Sequence, residues 1–206
     1  MSSIAWIYSH GNSDNNKSNK ELYDKALHSK IFGTCDNISH WIKHILDSYQ
    51  IKSRVVQTLT VEEWNDYNNG HTMIEVYRHD FNKWVLYDLD NNAYFSANEI
   101  PLSLLEFYES INKENYNIHF LADDTKNDVS NFKGNDGYDY AFFAESINSN
   151  ENTLRDWYNR VVQVVIISDT ENNYYFYDQK HREQIENYSN QYKFLEYEEF
   201  IQKIYN

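Results

Sequence analysis

The sequence predicts an α+β fold, and three observations carry that expectation. After Gly33-Thr34, apolar residues fall at Ile38, Trp41, Ile42, Ile45, Leu46 and Tyr49, the spacing of one helical face. His71 to Tyr77 and Trp84 to Asp88 alternate with period two, and the short polar link from His79 to Asn82 joins them as a β-hairpin. Two β-branched runs, Arg54 to Thr60 and Val161 to Ser168, read as further strands. With 206 residues, 41% apolar and 17% aromatic, the chain fits one folded domain and is too rich in large side chains for a disordered polymer.

Taken in order, Ile4 to Tyr8 is a short apolar start, and Gly11 to Lys20 is polar and turn-rich, a surface loop. Lys20 to His28 has the length of a short helix. The helix after Gly33-Thr34 carries Cys35 in its first turn. At ~100° per residue the thiol projects about 50° from the middle of the apolar stripe, while His40 and His44 point the opposite way, to solvent. Glu62 to Gly70 is a polar excursion with room for a helical turn. In the hairpin, His71, Met73, Glu75 and Tyr77 share one side, and Thr72, Ile74 and Val76 the other. Pro101 opens a helix through Ile111. Asn112 to Asn152 turns polar, a long loop or an insertion interrupted by Tyr138–Phe143. Leu154 to Arg160 reads as a helix, Val161 to Ser168 and Tyr174 to Tyr177 as strands, and Tyr197 to Tyr205 as a closing amphipathic helix.

Charge and cysteine content narrow the function classes. Against 18 basic side chains stand 32 acidic ones, and a formal charge of −14 repels phosphate backbones and anionic lipid heads, so neither nucleic acid nor membrane is an expected partner. The single cysteine excludes an intrachain disulfide and a Cys-rich zinc site and fits a reducing compartment. No stretch approaches the ~18 apolar residues of a membrane span, and Met1–His10 lacks a charged start followed by an apolar block. The expectation is a soluble, cytoplasmic protein.

One set of residues carries chemistry. A thiol attacks as the thiolate, and a helix N-terminus favours that anion through its free N–H groups and aligned peptide dipoles. A histidine at the start of a strand supplies the partner charge and the proton for a leaving group, and a carboxylate on the neighbouring strand sets its tautomer. Cys35, His71 and Asp88 occur in that order on those elements. A two-residue turn at His79-Asp80 places Asp88 opposite His71, whereas pairing Arg78 with Lys83 places Asp90 there; both aspartates share a strand face.

Four blocks resemble the transglutaminase-like superfamily of cysteine enzymes, a branch of the papain-like fold: Gly33-Thr34-Cys35-Asp36 opening a helix, Ile51-Lys52-Ser53-Arg54-Val55-Val56, Gly70-His71-Thr72-Met73-Ile74-Glu75-Val76-Tyr77, and Trp84-Val85-Leu86-Tyr87-Asp88. The resemblance covers about residues 20–111 and leaves 112–206 as an elaboration of the same domain. It implies a Cys-bearing helix packed on an antiparallel sheet, with Cys35 as nucleophile, His71 as general base and acid, Asp88 as orienting carboxylate and Arg54 as a structural strand arginine. The Trp-then-Asp spacing favours Asp88 over Asp90. The implied activity is acyl transfer from a peptide or side-chain amide through a Cys thioester, with hydrolysis favoured over cross-linking. It needs a protein or peptide substrate and no cofactor or metal. The competing expectation is a scaffold of the same architecture that has lost catalysis and serves as a binding module.

Other candidates carry bland readings. His40 and His44 have the i, i+4 spacing of half a zinc site but lack the following glutamate and lie on the solvent face. Asp123, Asp124, Asp128, Asp136 and Asp139 lack the spacing of a calcium loop. Asp178 replaces Asp88 only if its strand comes alongside. The backbone amide of Cys35 is the first expected oxyanion donor, with the Trp6 indole as a candidate for the second.

Overall fold

In the computed structural model, which describes residues 1–62, 64, 69–121, 151–169 and 171–205, the alternating hairpin lies in the middle of a nine-stranded sheet. The chain runs α1 (Ser2–Ile7), β1 (Tyr8–His10), α2 (Asn19–Ala26), β2 (Ile31–Gly33), α3 (Cys35–Ser48), β3 (Ser53–Leu59), β4 (Gly70–Arg78) and β5 (Lys83–Asp88). It continues through β6 (Ala93–Ala97), β7 (Ile100–Pro101), α4 (Leu104–Ile111) and β8 (Asn117–Phe120). After the 122–150 segment come α5 (Glu151–Val161), β9 (Val164–Ser168), β10 (Tyr174–Phe176), α6 (Arg182–Tyr188), β11 (Tyr192–Phe194) and α7 (Tyr197–Tyr205). Strand order is β11-β10-β9-β3-β4-β5-β6-β7, with β8 also paired to β6; every pairing is antiparallel except β10 with β11. β1 and β2 form a separate parallel pair. The fold is mixed α+β on a mostly antiparallel sheet.

Both faces of the central strands are covered, and alternation decides which residue faces which layer. Ile74, Val76, Val85 and Tyr87 pack with Ile38, Trp41, Ile42 and Leu46 of α3. Val56, Met73, Leu86 and Phe95 point the other way, into a core closed by Leu104 and Phe107 of α4, Leu154 and Tyr158 of α5, and Phe200 and Ile204 of α7. The strands of the C-terminal half extend the same sheet, because β9 pairs with β3 through Val56↔Ile167 to Leu59↔Val164. A third apolar group, Leu59, Val164, Ile166, Phe176 and Ile185, seats α6 on that extension.

Several expectations are corrected. The hairpin has the expected link, residues 79–82, and of the two registers open in the sequence the one that pairs Arg78 with Lys83 and Ile74 with Tyr87 is observed, which excludes the two-residue turn. Asn82 closes the link at φ 50°, its side chain accepts from the Tyr77 hydroxyl at 2.7 Å, and Asp80 pairs with Arg78 at 2.6 Å. Pro101 does not open a helix; it pairs with Ser96 on a short edge strand, where a residue without an N–H is tolerated. The helix begins at Leu104 because Ser103 and Glu106 form a capping box, each side chain bonding the other's backbone amide. Val161 ends α5, and its strand starts only at Val164. The polar tract after Asn112 holds a strand at its start, β8, paired along β6 from Ser96↔Asn117 to Ala93↔Phe120. Tyr138–Phe143 and most of Glu62–Gly70 lie outside the described residues.

Candidate active site

Cys35 is the first residue of α3, and its amide is one of the four that a helix leaves without an intrahelical acceptor. The approach to it is fixed from several sides. Thr34 caps the helix by accepting from the Asn37 amide at 3.4 Å, and the Thr34 amide donates to Asn15 Oδ1 at 3.0 Å. The Gly33 carbonyl accepts from the Gly11 amide at 2.9 Å and lies 2.8 Å from the Tyr8 hydroxyl. Ser39, one turn on, donates to the Thr72 carbonyl at 3.3 Å and ties the helix start to β4. The thiol residue is neither fully buried nor fully exposed.

His71 is the second residue of β4 and is 3% exposed. By alternation it belongs to the face of Met73, opposite to the face that α3 covers, so the thiol and the imidazole meet at the strand's N-terminal end. The ring is held edge-to-face by Trp157 of α5 at 4.7 Å, and its Nε2 lies 2.8 Å from Asp88 Oδ2. That leaves Nδ1 as the nitrogen available to the cluster in which Cys35 Sγ, a His71 ring nitrogen and an Asp90 carboxylate oxygen lie within 4.8 Å of one another.

Asp88 ends β5, fully buried, and its acceptors are saturated. Oδ2 takes His71, the Asn91 side-chain amide at 2.8 Å and the Tyr158 hydroxyl at 2.7 Å. Oδ1 takes the backbone amides of Asp90 at 3.1 Å and Asn91 at 3.2 Å. Five donors on a buried carboxyl fix its orientation, so it cannot rotate away from the imidazole. Asp90 differs. Its Oδ1 accepts from Tyr8 and bonds His10 Nδ1, both at 2.5 Å, and the side chain keeps 11% exposure. One turn, residues 88–91, therefore orients two histidines, His71 through Asp88 and His10 through Asp90.

The electrostatics follow from these partners. Burial works against charge on His71, but the Asp88 carboxylate and its hydrogen bond outweigh it, with Cys35 adding in the same direction, and hold the imidazole well above its ordinary range. Burial likewise opposes charge on His10 and Asp90, yet their mutual attraction raises the one and lowers the other. Burial and then the neighbouring carboxylates push the Tyr8 and Tyr158 phenols well up, so both stay neutral donors.

The structure thus brings Cys35, His71, Asp88 and Asp90 to one place. The β4–β5 pairing ends at Ile74↔Tyr87; Asp88, the last residue of β5, makes the hydrogen bond to His71, and Asp90 lies beyond it in the turn to β6. Asp178 is elsewhere and pairs with His181 at 2.8 Å. His40 and His44 are exposed, and His40 lies 3.6 Å from Asp36. The Trp6 side chain and Asp123, Asp124, Asp128, Asp136 and Asp139 lie outside the described residues. Arg54 is buried with Glu75, Nε to Oε2 at 2.7 Å, away from the thiol cluster. Sequence reading missed Tyr8, His10, Asn91, Trp157 and Tyr158. The Leu154, Tyr158, Val161 spacing marks Tyr158 as a core residue, but nothing local says which carboxylate its hydroxyl meets.

Chemically, the cluster can move a proton between sulfur and an imidazole whose far nitrogen is fixed by a carboxylate. A metal ion would find its donors in Cys35, His71 and Asp90 among the described residues. Compared with known proteins, the chain matches no family model, no curated protein and no solved structure.

Proposed function

We propose that the chain is a cysteine enzyme of transglutaminase-like, papain-like architecture that cleaves or transfers the acyl group of a peptide or side-chain amide through a thioester on Cys35. The observation that supports this most is the bridging position of His71, with Nε2 on Asp88 at 2.8 Å and the rest of the ring beside a partly exposed thiol at a helix start. An imidazolium kept charged by Asp88 is both a counter-ion for the thiolate and a proton donor within reach of a leaving amine.

In the first step the sulfur adds to the amide carbonyl, and the helix-start amide of Cys35 is placed to receive the oxyanion. The C–N bond then breaks, the departing amine takes the proton of His71, and the acyl group remains as the thioester. In the second step neutral His71 removes a proton from water, the water oxygen bonds to the acyl carbon, the C–S bond breaks and the thiolate returns. Asp88 keeps one tautomer throughout. An amine in place of water gives transfer. Hydrolysis is the favoured outcome because water needs no second binding site. The acidic surface and the lack of any described helix long and apolar enough to cross a membrane agree with a protein or peptide substrate met in a reducing, cytoplasmic setting.

The experiment is twofold. Iodoacetamide labelling of Cys35 across roughly pH 5 to 9 is expected to stay fast well below the ~8.5 at which a free thiol loses its proton. Proteome-wide comparison of wild type with Cys35→Ala is expected to reveal one class of altered amide, absent also with His71→Ala. Labelling that rises only near the free-thiol pH, with no altered amide, would leave the inert binding scaffold as the correct reading.

A further inference from the structure

The acyl-transfer chemistry uses Asp88 and gives Asp90 no step, although it is an Asp90 oxygen that lies within 4.8 Å of both the thiol sulfur and a His71 ring nitrogen. We propose that Cys35, His71 and Asp90 form a site for one thiophilic divalent cation, with Zn2+ as the natural occupant, and that the bound ion takes the nucleophile out of action reversibly. The inference rests on the acyl-transfer reading only in its regulatory consequence, because the donor set stands on geometry alone.

Four features of the cluster carry it. The three donor atoms lie within 4.8 Å of one another. Around zinc, with bonds of ~2.0–2.3 Å, tetrahedral neighbours stand roughly 3.3–3.7 Å apart, so side-chain rotations of about 1 Å close the set. His71 offers Nδ1 while Nε2 is held by Asp88 at 2.8 Å, the carboxylate–imidazole support that a metal-binding histidine uses to fix its ring and raise its basicity. Asp90 is braced in the same way: Tyr8 and His10 both fall on Oδ1, which leaves Oδ2 without a partner among the described residues. Asp88 cannot compete for the ion, since five hydrogen bonds already occupy its oxygens. Finally, Cys35 and Asp90 keep partial exposure, so an ion has an entry path and a solvent molecule can fill the fourth position.

Donor chemistry selects the ion. One sulfur, one imidazole nitrogen and one carboxylate oxygen suit a borderline-soft tetrahedral cation, whereas Mg2+ and Ca2+ demand oxygen shells of six or more. A thiolate and a carboxylate also neutralise the two positive charges of the ion. With sulfur and Nδ1 both committed to the metal, neither attack on a carbonyl nor proton delivery to an amine can proceed.

The test uses the full chain after dialysis against EDTA. Its readout is the ratio of Cys35 alkylation rates by iodoacetamide without and with added ion, so that each variant serves as its own reference. Zn2+ is expected to slow wild-type alkylation at least tenfold, with full recovery on EDTA, while Mg2+ and Ca2+ leave the ratio near one. Asp90→Asn is expected to raise the Zn2+ concentration for half-protection at least about tenfold, because a coordinating oxygen is lost where even an outer-shell partner is worth roughly 10- to 100-fold. X-ray absorption at the zinc edge of the wild-type complex, which needs no variant, is expected to show a single sulfur scatterer with nitrogen or oxygen neighbours. No protection by Zn2+, equal protection by Ca2+, unchanged protection in Asp90→Asn, or a zinc shell without sulfur each overturns the proposal. The metal-free labelling profile keeps the two readings apart. An ordinary thiol profile combined with Asp90-dependent zinc protection sinks the enzyme and leaves the metal site, and a persistent low-pH profile without zinc protection does the reverse. Zinc that EDTA cannot remove without unfolding the chain overturns both.

Discussion

Strand β4 carries two buried ionisable side chains four residues apart, and they end in opposite situations. Glu75 meets Arg54, with Nε on Oε2 at 2.7 Å and Nη2 at 2.6 Å, and its Oε1 accepts the Leu104 amide at the start of α4 at 2.6 Å. Arg54 in turn donates to the Ile204 carbonyl of α7 at 2.6 Å, and its guanidinium lies 4.1 Å from the Trp84 ring centroid. Every partner is a fixed backbone group or a core ring, so this pair is a clamp that fastens two helices to the sheet. His71 is equally buried, yet only its Nε2 is bonded to Asp88; the ring also borders Cys35, a residue that is only partly buried. What separates the two buried pairs is therefore the valence left open on His71, since burial is common to both.

The largest expected effect lies at the closed pair. Arg54→Ala leaves the buried Glu75 carboxyl without its partner, and the cost of removing one member of such a pair is about 3–5 kcal/mol. Urea unfolding should show that loss in its midpoint, while metal-free Cys35 alkylation in the folded fraction stays fast at low pH. A variant that remains as stable as wild type would erase the distinction between the two sites.

The open pair should respond in the reverse manner. His71→Gln is expected to slow Cys35 alkylation near pH 6.5 by about a hundredfold, equivalent to ~2.7 kcal/mol at 1.36 kcal/mol per pH unit. Its effect on stability depends on pH, with a definite sign. The folded imidazole holds its proton more tightly than the unfolded one near ~6.5, so its contribution is complete below that pH and disappears as pH climbs through the raised value. The midpoint difference between wild type and His71→Gln should shrink steadily as pH rises. Asp90 sets the other border, because a depressed carboxyl contributes above its unfolded value of ~3.9 and loses that contribution as pH falls through the lower folded value. A difference that is constant, or grows, with pH would mean that His71 is not held charged.

How much of this was readable beforehand depends on whether the signal is periodic. The α3 stripe and the alternation of β4 and β5 show in sequence because a single buried face repeats every 3.6 or 2 residues, and Cys35, His71 and Asp88 come with them. The register does not show, since sliding the hairpin by two residues exchanges Asp88 for Asp90 without moving any side chain to the other face. Strand β6 is hidden because Ala-Tyr-Phe-Ser-Ala has weak alternation and ends in Asn98 and Glu99 at positive φ, and Pro101 looks like a helix start when it is an edge residue. The supporting side chains are the least legible. Tyr8 lies 82 residues from Asp90 along the chain, and Tyr158 lies 70 from Asp88, so only the folded topology joins them.

Tyr158 allows the smallest but sharpest probe of the contrast. Its hydroxyl is one of five donors to Asp88, at 2.7 Å, and the ring also packs edge-to-face on Phe95 and Phe107. Tyr158→Phe keeps that packing and removes only the O–H, so the loss of one bond to a charged acceptor with four others remaining should cost about 1–2 kcal/mol. The carboxylate then concentrates its charge on His71, which should hold its proton to higher pH. The alkaline fall in stability should therefore move upward, even though the protein is less stable overall. A purely apolar role predicts neither change, and a downward movement would mean that the Tyr158 hydroxyl holds Asp88 in place against His71.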